Sequence, residues 1–171
     1  MSRSNFAFVI LFCISLLSCK KQNPQLPSNK VVIDNSASEA LLAINQNLAI
    51  KEDSLLEIFV KKENRTFIKN ELGFWYKIEQ AGNGKKLRDK SSCNFSYKLL
   101  SINGKFIKQG NEKIILGKKQ IVDGLEEGIK LIHRGDSATF IIPWYLGYGM
   151  KGNETSVPPY TSIIYQIRVD K

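Results

Sequence analysis

Residues 121–128 read Ile121-Val122-Asp123-Gly124-Leu125-Glu126-Glu127-Gly128, and the fold turns on how this stretch is read. Asp123 is a candidate helix N-cap with Glu126 at the answering position three residues on. Leu125, Ile129 and Ile132 supply an apolar face, and Gly135 supplies a stop. One short helix is therefore expected here. The segments around it follow a strand pattern. Leu72–Ile78 carries Gly73-Phe74-Trp75-Tyr76 and runs into the turn formers Gly82-Asn83-Gly84. Cys93, Phe95, Tyr97 and Leu99 alternate with polar residues, the period-2 mark of a half-buried strand, and Asn103-Gly104 reads as a hairpin turn because both residues tolerate positive φ. Further strands are expected at Lys113–Leu116, at Ala138–Ile142 and at Ser162–Val169, where Ile163, Tyr165, Ile167 and Val169 share a face. The pattern predicts an α+β architecture, an antiparallel β-sheet wrapped around one short α-helix.

Ahead of this sheet the sequence predicts an N-terminal helical segment over 36–64. Ser36 and Glu39 have the spacing of a capping box, Leu41, Ile44 and Leu48 recur on one face, and Leu55, Leu56 and Phe59 continue it after Asp53-Ser54, a pair suited to capping a second helix. One helix or two fits the pattern. Residues 19–35 are polar, contain Pro24 and Pro27, and lack the apolar density to pack, so they read as a flexible tether.

The first residues read as an export signal. An apolar run from Phe6 to Leu17 follows Arg3, falls short of the roughly 20 residues that span a bilayer, and ends at Leu16-Leu17-Ser18-Cys19. The run looks like a bacterial lipoprotein signal peptide over residues 1–18, with Cys19 acylated. A small residue directly before Cys favours that reading over a plain signal peptide, a retained anchor or a buried helix. It implies a membrane as partner through lipid on Cys19. Lys20 follows without an acidic sorting residue, which suggests the periplasmic face of the outer membrane. Cys93 is then the one cysteine left in the domain and reads as a buried structural thiol.

Several chemistries lose ground on composition. His133 is the only histidine, and no second His or Cys stands at metal-ligand spacing, so neither metal nor cofactor is expected. The glycines lack the strand-to-helix setting of a phosphate loop, and a Ser-His-acid arrangement has little to draw on. The formal charge of +9 is spread over lysine pairs and reads first as solubilising surface, and an exported chain meets little nucleic acid, so none is expected as a partner. Glycines, aromatics and the pair Pro158-Pro159 after Val157 suggest a shaped apolar pocket rather than bond-making side chains.

Residues 72–171 resemble the FKBP-type peptidyl-prolyl cis-trans isomerases. The residues that carry the likeness are Leu116-Gly117, the stretch 121–128, the strand Phe140 to Pro143, Leu146-Gly147-Tyr148-Gly149, and Val157-Pro158-Pro159 with the final strand. The resemblance implies an FKBP-like domain that isomerises X-Pro bonds in polypeptide clients without covalent catalysis. It assigns Tyr97, Val122, Tyr148 and Tyr165 to catalysis, the Val122 N–H and Tyr148 hydroxyl as donors to substrate carbonyls, and Ile107, Ile121, Leu125 and Val157 to substrate binding. Core packing is the competing role for each. Leu125 falls where the family often has tryptophan, and Tyr165 replaces a phenylalanine. The pair Ile107-Lys108 stands where the family usually shows an aromatic followed by aspartate, unless Phe106 serves by a one-residue slip, and this puts a cation in place of a carboxylate. Glu112 lies where an apolar wall residue is common. The chain is also similar to gliding-motility-associated lipoprotein isomerases, which implies an envelope or motility complex as partner. A binding lipoprotein that grips proline segments without accelerating them, and a chaperone whose helices do the holding, are the alternatives.

Overall fold

The structure is a computed structural model and describes residues 35–63 and 66–171. The expected signal peptide, the tether, Cys13 and the acylated Cys19 lie outside the described residues. The chain divides into two units, residues 1–41 and 42–171; of the first, the described residues form only the opening turns of a helix, on which Leu41 is exposed.

That helix, α1, is continuous over Asn35–Lys62. Asp53-Ser54 does not start a second helix. The Ser54 hydroxyl instead donates to the Ile50 carbonyl one turn back, 3.0 Å away, which lets a serine sit inside a helix. Six strands follow: β1 (Ile68–Lys69), β2 (Trp75–Gln80), β3 (Ser92–Ser101), β4 (Phe106–Ile115), β5 (Ser137–Ile142) and β6 (Ile163–Val169). They form one antiparallel sheet in the order β1-β2-β5-β6-β3-β4. The short helix α2 (Asp123–Ile129) lies on one face of it. This is the α+β architecture expected from the alternation of residues.

Three local expectations change. The β3–β4 hairpin turns at Asn103-Gly104, but only Gly104 takes positive φ, at 78°, with its N–H donating to Ser101. β4 begins at Phe106, well before Lys113, as an edge strand whose run of polar residues over 108–113 hides its alternation. Asp123 does not cap α2. Val122 is the N-cap in extended conformation, its carbonyl accepting from the Leu125 and Glu126 N–H groups, and Asp123 is the first helical residue.

The sheet is buried on both faces at its centre. On one face Phe74, Phe95, Leu99, Phe140, Ile163, Ile167 and Val169 pack around Leu125, Ile129 and Ile132. On the other, Leu56 and Val60 of α1 pack on Ile141, with Phe59, Trp75 and Ile164 beside them. Successive β5 residues therefore point to different cores. Cys93 is fully buried, and that burial pushes its thiol up to about 11, so it stays protonated and unreactive at neutral pH.

α2 sits unusually close to β5. A Cβ built on Gly128 meets the Phe140 ring at 2.6 Å, and one on Gly124 meets Ile142 Cγ2 at 2.6 Å. Alanine would favour the helix by about 1 kcal/mol, but overpacking a filled core costs about 1–3 kcal/mol, and the Phe140 ring is itself wedged against Phe74 and Tyr76. The clash wins. Gly128→Ala is expected to destabilise the protein by up to about 2 kcal/mol net, seen as a lower urea midpoint with an unchanged slope.

Candidate functional site

Between the N-terminal end of α2 and strands β3, β4 and β6 lies a cavity of about 300 Å³. Its lining includes Tyr97, Ile121, Val122, Leu125, Tyr148 and Tyr165, six of the residues that the sequence singled out. Leu125 and Tyr165 are buried, whereas Tyr97, Ile121, Val122 and Tyr148 are half-buried at the mouth. Val157 and Ile107 do not line it. Val157 is buried in the main core, held by a loop in which Asn153 Oδ1 accepts from the Ser156 and Val157 N–H groups at 2.8 and 2.7 Å. Ile107 falls at the irregularity in the β3–β4 ladder, between the pairs Leu99–Lys108 and Leu100–Phe106, and packs against the core from there.

Each wall has a structural cause. Tyr97 on β3 pairs with Gly110 on β4, and a Cβ at Gly110 would touch the Tyr97 ring at 3.4 Å, so the glycine gives the ring a shelf. The ring then leans on Tyr165 and Phe95, with centroids 5.6 and 6.2 Å away. Ile121 and Val122 arrive on the segment after Gly117, whose N–H donates to Glu126 Oε1. Glu126 is 3% exposed, so this buried carboxylate fastens the segment onto α2. Among the described residues no protein acceptor takes the Val122 N–H.

The Tyr148 and Tyr165 hydroxyls are 2.9 Å apart. Either oxygen can donate, and burial decides which. Tyr165 is 5% exposed and has no other hydrogen-bond partner among the described residues, while Tyr148 is at the mouth. A buried hydroxyl left without an acceptor costs about 1–3 kcal/mol, so Tyr165 donates to Tyr148 and the Tyr148 proton is left for a ligand. Burial, and after it the bond to Tyr148, holds the Tyr165 hydroxyl well above the usual tyrosine range.

The sequence missed Phe95, Lys119 and Gln120 in the lining, and Gly110 against the Tyr97 ring. Gly110 has a signal in retrospect, because a glycine facing an aromatic across a strand pair marks a close approach. Lys108 and Glu112 also line the cavity, on the edge strand. His133 is remote from it, its backbone N–H donating to Asp136 Oδ2 at 2.8 Å. Among the described residues no group of three or more His, Cys, Asp or Glu side chains is placed to hold a metal.

An antiparallel sheet packs over one short helix, and two tyrosine hydroxyls stand at the edge of a cavity that also carries Lys108, Glu112 and Lys119. The family model described as FKBP-type peptidyl-prolyl cis-trans isomerase matches residues 83–170, and the chain belongs to that family. It is 31% identical over 100 residues to a probable FKBP-type peptidyl-prolyl cis-trans isomerase of Haemophilus influenzae, spanning 57% of this chain and 42% of that protein. It is 26% identical over 100 residues to the FKBP-type isomerase FkpA of Escherichia coli, covering 57% of this chain and 37% of that one. The chain thus spans about two fifths of the length of these curated relatives. Among solved structures, the N-terminal domain of FKBP42 from Arabidopsis thaliana matches with a TM-score of 0.58 at 25% identity, over 63% of this chain and 92% of that one. The crystal structure of FkpA from Escherichia coli shares the fold at a TM-score of 0.61 and 20% identity, over 100% of this chain and 82% of that one.

Tyr165→Phe tests the hydroxyl pair. Near neutral pH the loss is expected to be about 0.5–1.5 kcal/mol, because the half-exposed Tyr148 turns to water. Above about pH 10 the sign changes. The folded chain keeps the Tyr165 proton where the unfolded chain gives it up, so wild-type stability falls as pH rises through that range, and the phenylalanine variant is expected to lose less. Urea titrations at both pH values measure the difference.

Proposed function

We propose that this chain is a peptidyl-prolyl cis-trans isomerase that acts on X-Pro bonds of extracytoplasmic proteins and assists their folding. The observation that carries the reading is the convergence of Tyr97, Ile121, Val122, Leu125, Tyr148 and Tyr165 on one cavity. Amide resonance sets a barrier of about 18–20 kcal/mol, and an uncatalysed X-Pro bond takes tens to hundreds of seconds to turn, roughly. No bond has to be made or broken.

The proline ring enters between Tyr97, Tyr165 and the Leu125 floor and displaces water from them. The planar amide is more polar than the twisted one, so an apolar wall around it favours the twisted state. The Tyr148 hydroxyl and the Val122 N–H, both at the mouth, hold the carbonyls that flank the bond and fix the substrate while the imide turns.

The chain is expected to accelerate cis-to-trans conversion in a proline tetrapeptide, and Tyr148→Phe to lower kcat/KM roughly two- to tenfold, the worth of one hydrogen bond. A folded protein that leaves the peptide's spontaneous rate unchanged at micromolar concentration is a binder of proline segments and not a catalyst.

The reading places the isomerase in the outer membrane, facing the periplasm and anchored by lipid on Cys19. Its support is the apolar run before Leu16-Leu17-Ser18-Cys19. Proline-containing polypeptides are its clients, and similarity to the gliding-motility-associated isomerases extends these to an envelope or motility complex. Several acyl chains on one residue give stable anchoring where a single chain gives only marginal binding. Cys19→Ala is therefore expected to end fatty-acid labelling and move the protein from the membrane pellet to the soluble fraction; unchanged labelling and pelleting would refute the anchor.

A further inference from the structure

The wall that β4 gives to the cavity is charged. Lys108, Gly110 and Glu112 alternate along the strand and pair with Leu99, Tyr97 and Phe95, which puts all three on the cavity side of the sheet. Lys108 is half-buried, and its Nζ lies 5.7 Å from the centre of the Tyr97 ring, the same ring that walls the proline position. No carboxylate of the described residues comes within 4 Å of it. Opposite, Lys119 is also on the lining, but it is exposed and its Nζ is 3.6 Å from Asp123. Glu112, exposed at the other end of the β4 row, is the only carboxylate among the described residues that line the cavity.

This lysine is only partly solvated. The Tyr97 ring lies within cation–π reach of it, and a peptide that covers the cavity displaces water and so reduces the screening between its ammonium and a charge on that peptide. A substrate carboxylate beside the proline would find a ready partner there. A substrate cation in the same place would meet repulsion.

We propose that Lys108 sets substrate preference, selecting X-Pro bonds in which a residue flanking the proline is aspartate or glutamate. The inference rests on the isomerase reading above. It makes Lys108 a specificity-determining residue that does not itself twist the bond.

The test uses the full-length protein in detergent and proline tetrapeptides with Glu, Gln or Lys before the proline, and a second set with the same residues after it. In one of the two sets kcat/KM is expected to favour Glu over Gln roughly two- to fivefold at low salt, the size of a partly screened ion pair, and the ratio to shrink toward one in about 1 M salt, where charges are screened within about 3 Å. Lys108→Gln is expected to remove the preference and Lys108→Glu to turn it toward Lys. Catalysis of all the peptides with no Glu preference in either set, or with a Glu preference that survives in Lys108→Gln, overturns the inference and leaves the isomerase reading intact. No acceleration of any peptide overturns the isomerase reading and this inference with it.

Discussion

The contact between Gly128 and the Phe140 ring fixes the depth at which the short helix meets the sheet, and the site depends on that depth. With a Cβ excluded at both Gly124 and Gly128, the helix backbone lies directly on β5. Leu125 then reaches the cavity floor, and the first turn delivers Val122 to its mouth. Raising the helix by the width of a methyl group would lift both. Glu126 is carried by the same turn, and its bond to the Gly117 N–H draws in the segment that bears Ile121. A seven-residue helix is too short to be stable on its own, so packing and this buried carboxylate, rather than helix propensity, hold it.

The other face of the sheet supports the site indirectly. Tyr145 donates to Asp53 of α1 at 2.5 Å, and Ser162 donates to Glu52 while accepting from the Trp144 N–H at 3.0 Å. Trp144 and Tyr145 begin the segment that continues to Tyr148, and Ser162 directly precedes β6, which carries Tyr165. The two tyrosines whose hydroxyls meet thus stand on two segments that the same turn of α1 grips. Burial, followed by the Asp53 bond, pushes the Tyr145 hydroxyl upward, so this link stays protonated through neutral pH.

Where burial is one-sided, the sequence was legible. β3 and β6 alternate cleanly because one face meets the core and the other is largely polar, and both strands appear where the alternation puts them. β4 lacks that signal over Lys108–Lys113, since an edge strand next to an open cavity has little to bury. Asp123 has the chemistry of an N-cap, but the backbone of Val122 already caps the helix and Glu126 is taken by Gly117, so local preference gave way to tertiary contact. Six pocket residues were readable from motif position, because the family resemblance covers the stretches that carry them. Ile107 and Val157 were not, since a ladder irregularity and a loop held by Asn153 turn them into the core, and neither is coded by residue type.

The hydroxyl pair shows how an apolar cavity tolerates two polar groups. Tyr165 in place of an apolar ring would be costly if its O–H had no acceptor, and Tyr148 supplies one at 2.9 Å. The need then passes outward to the Tyr148 proton, which water satisfies at the open mouth and which a peptide carbonyl satisfies when it displaces that water. Two hydroxyls in series polarise one another in the same sense, Tyr165 toward Tyr148 and Tyr148 toward the ligand. Once the mouth is covered the local dielectric falls, and each bond in the series strengthens together with the attraction proposed between Lys108 and a substrate carboxylate. In the proposed reading, only the part of that gain realised as the imide twists would speed the turn, since interactions equally strong in the planar and twisted states leave the barrier unchanged.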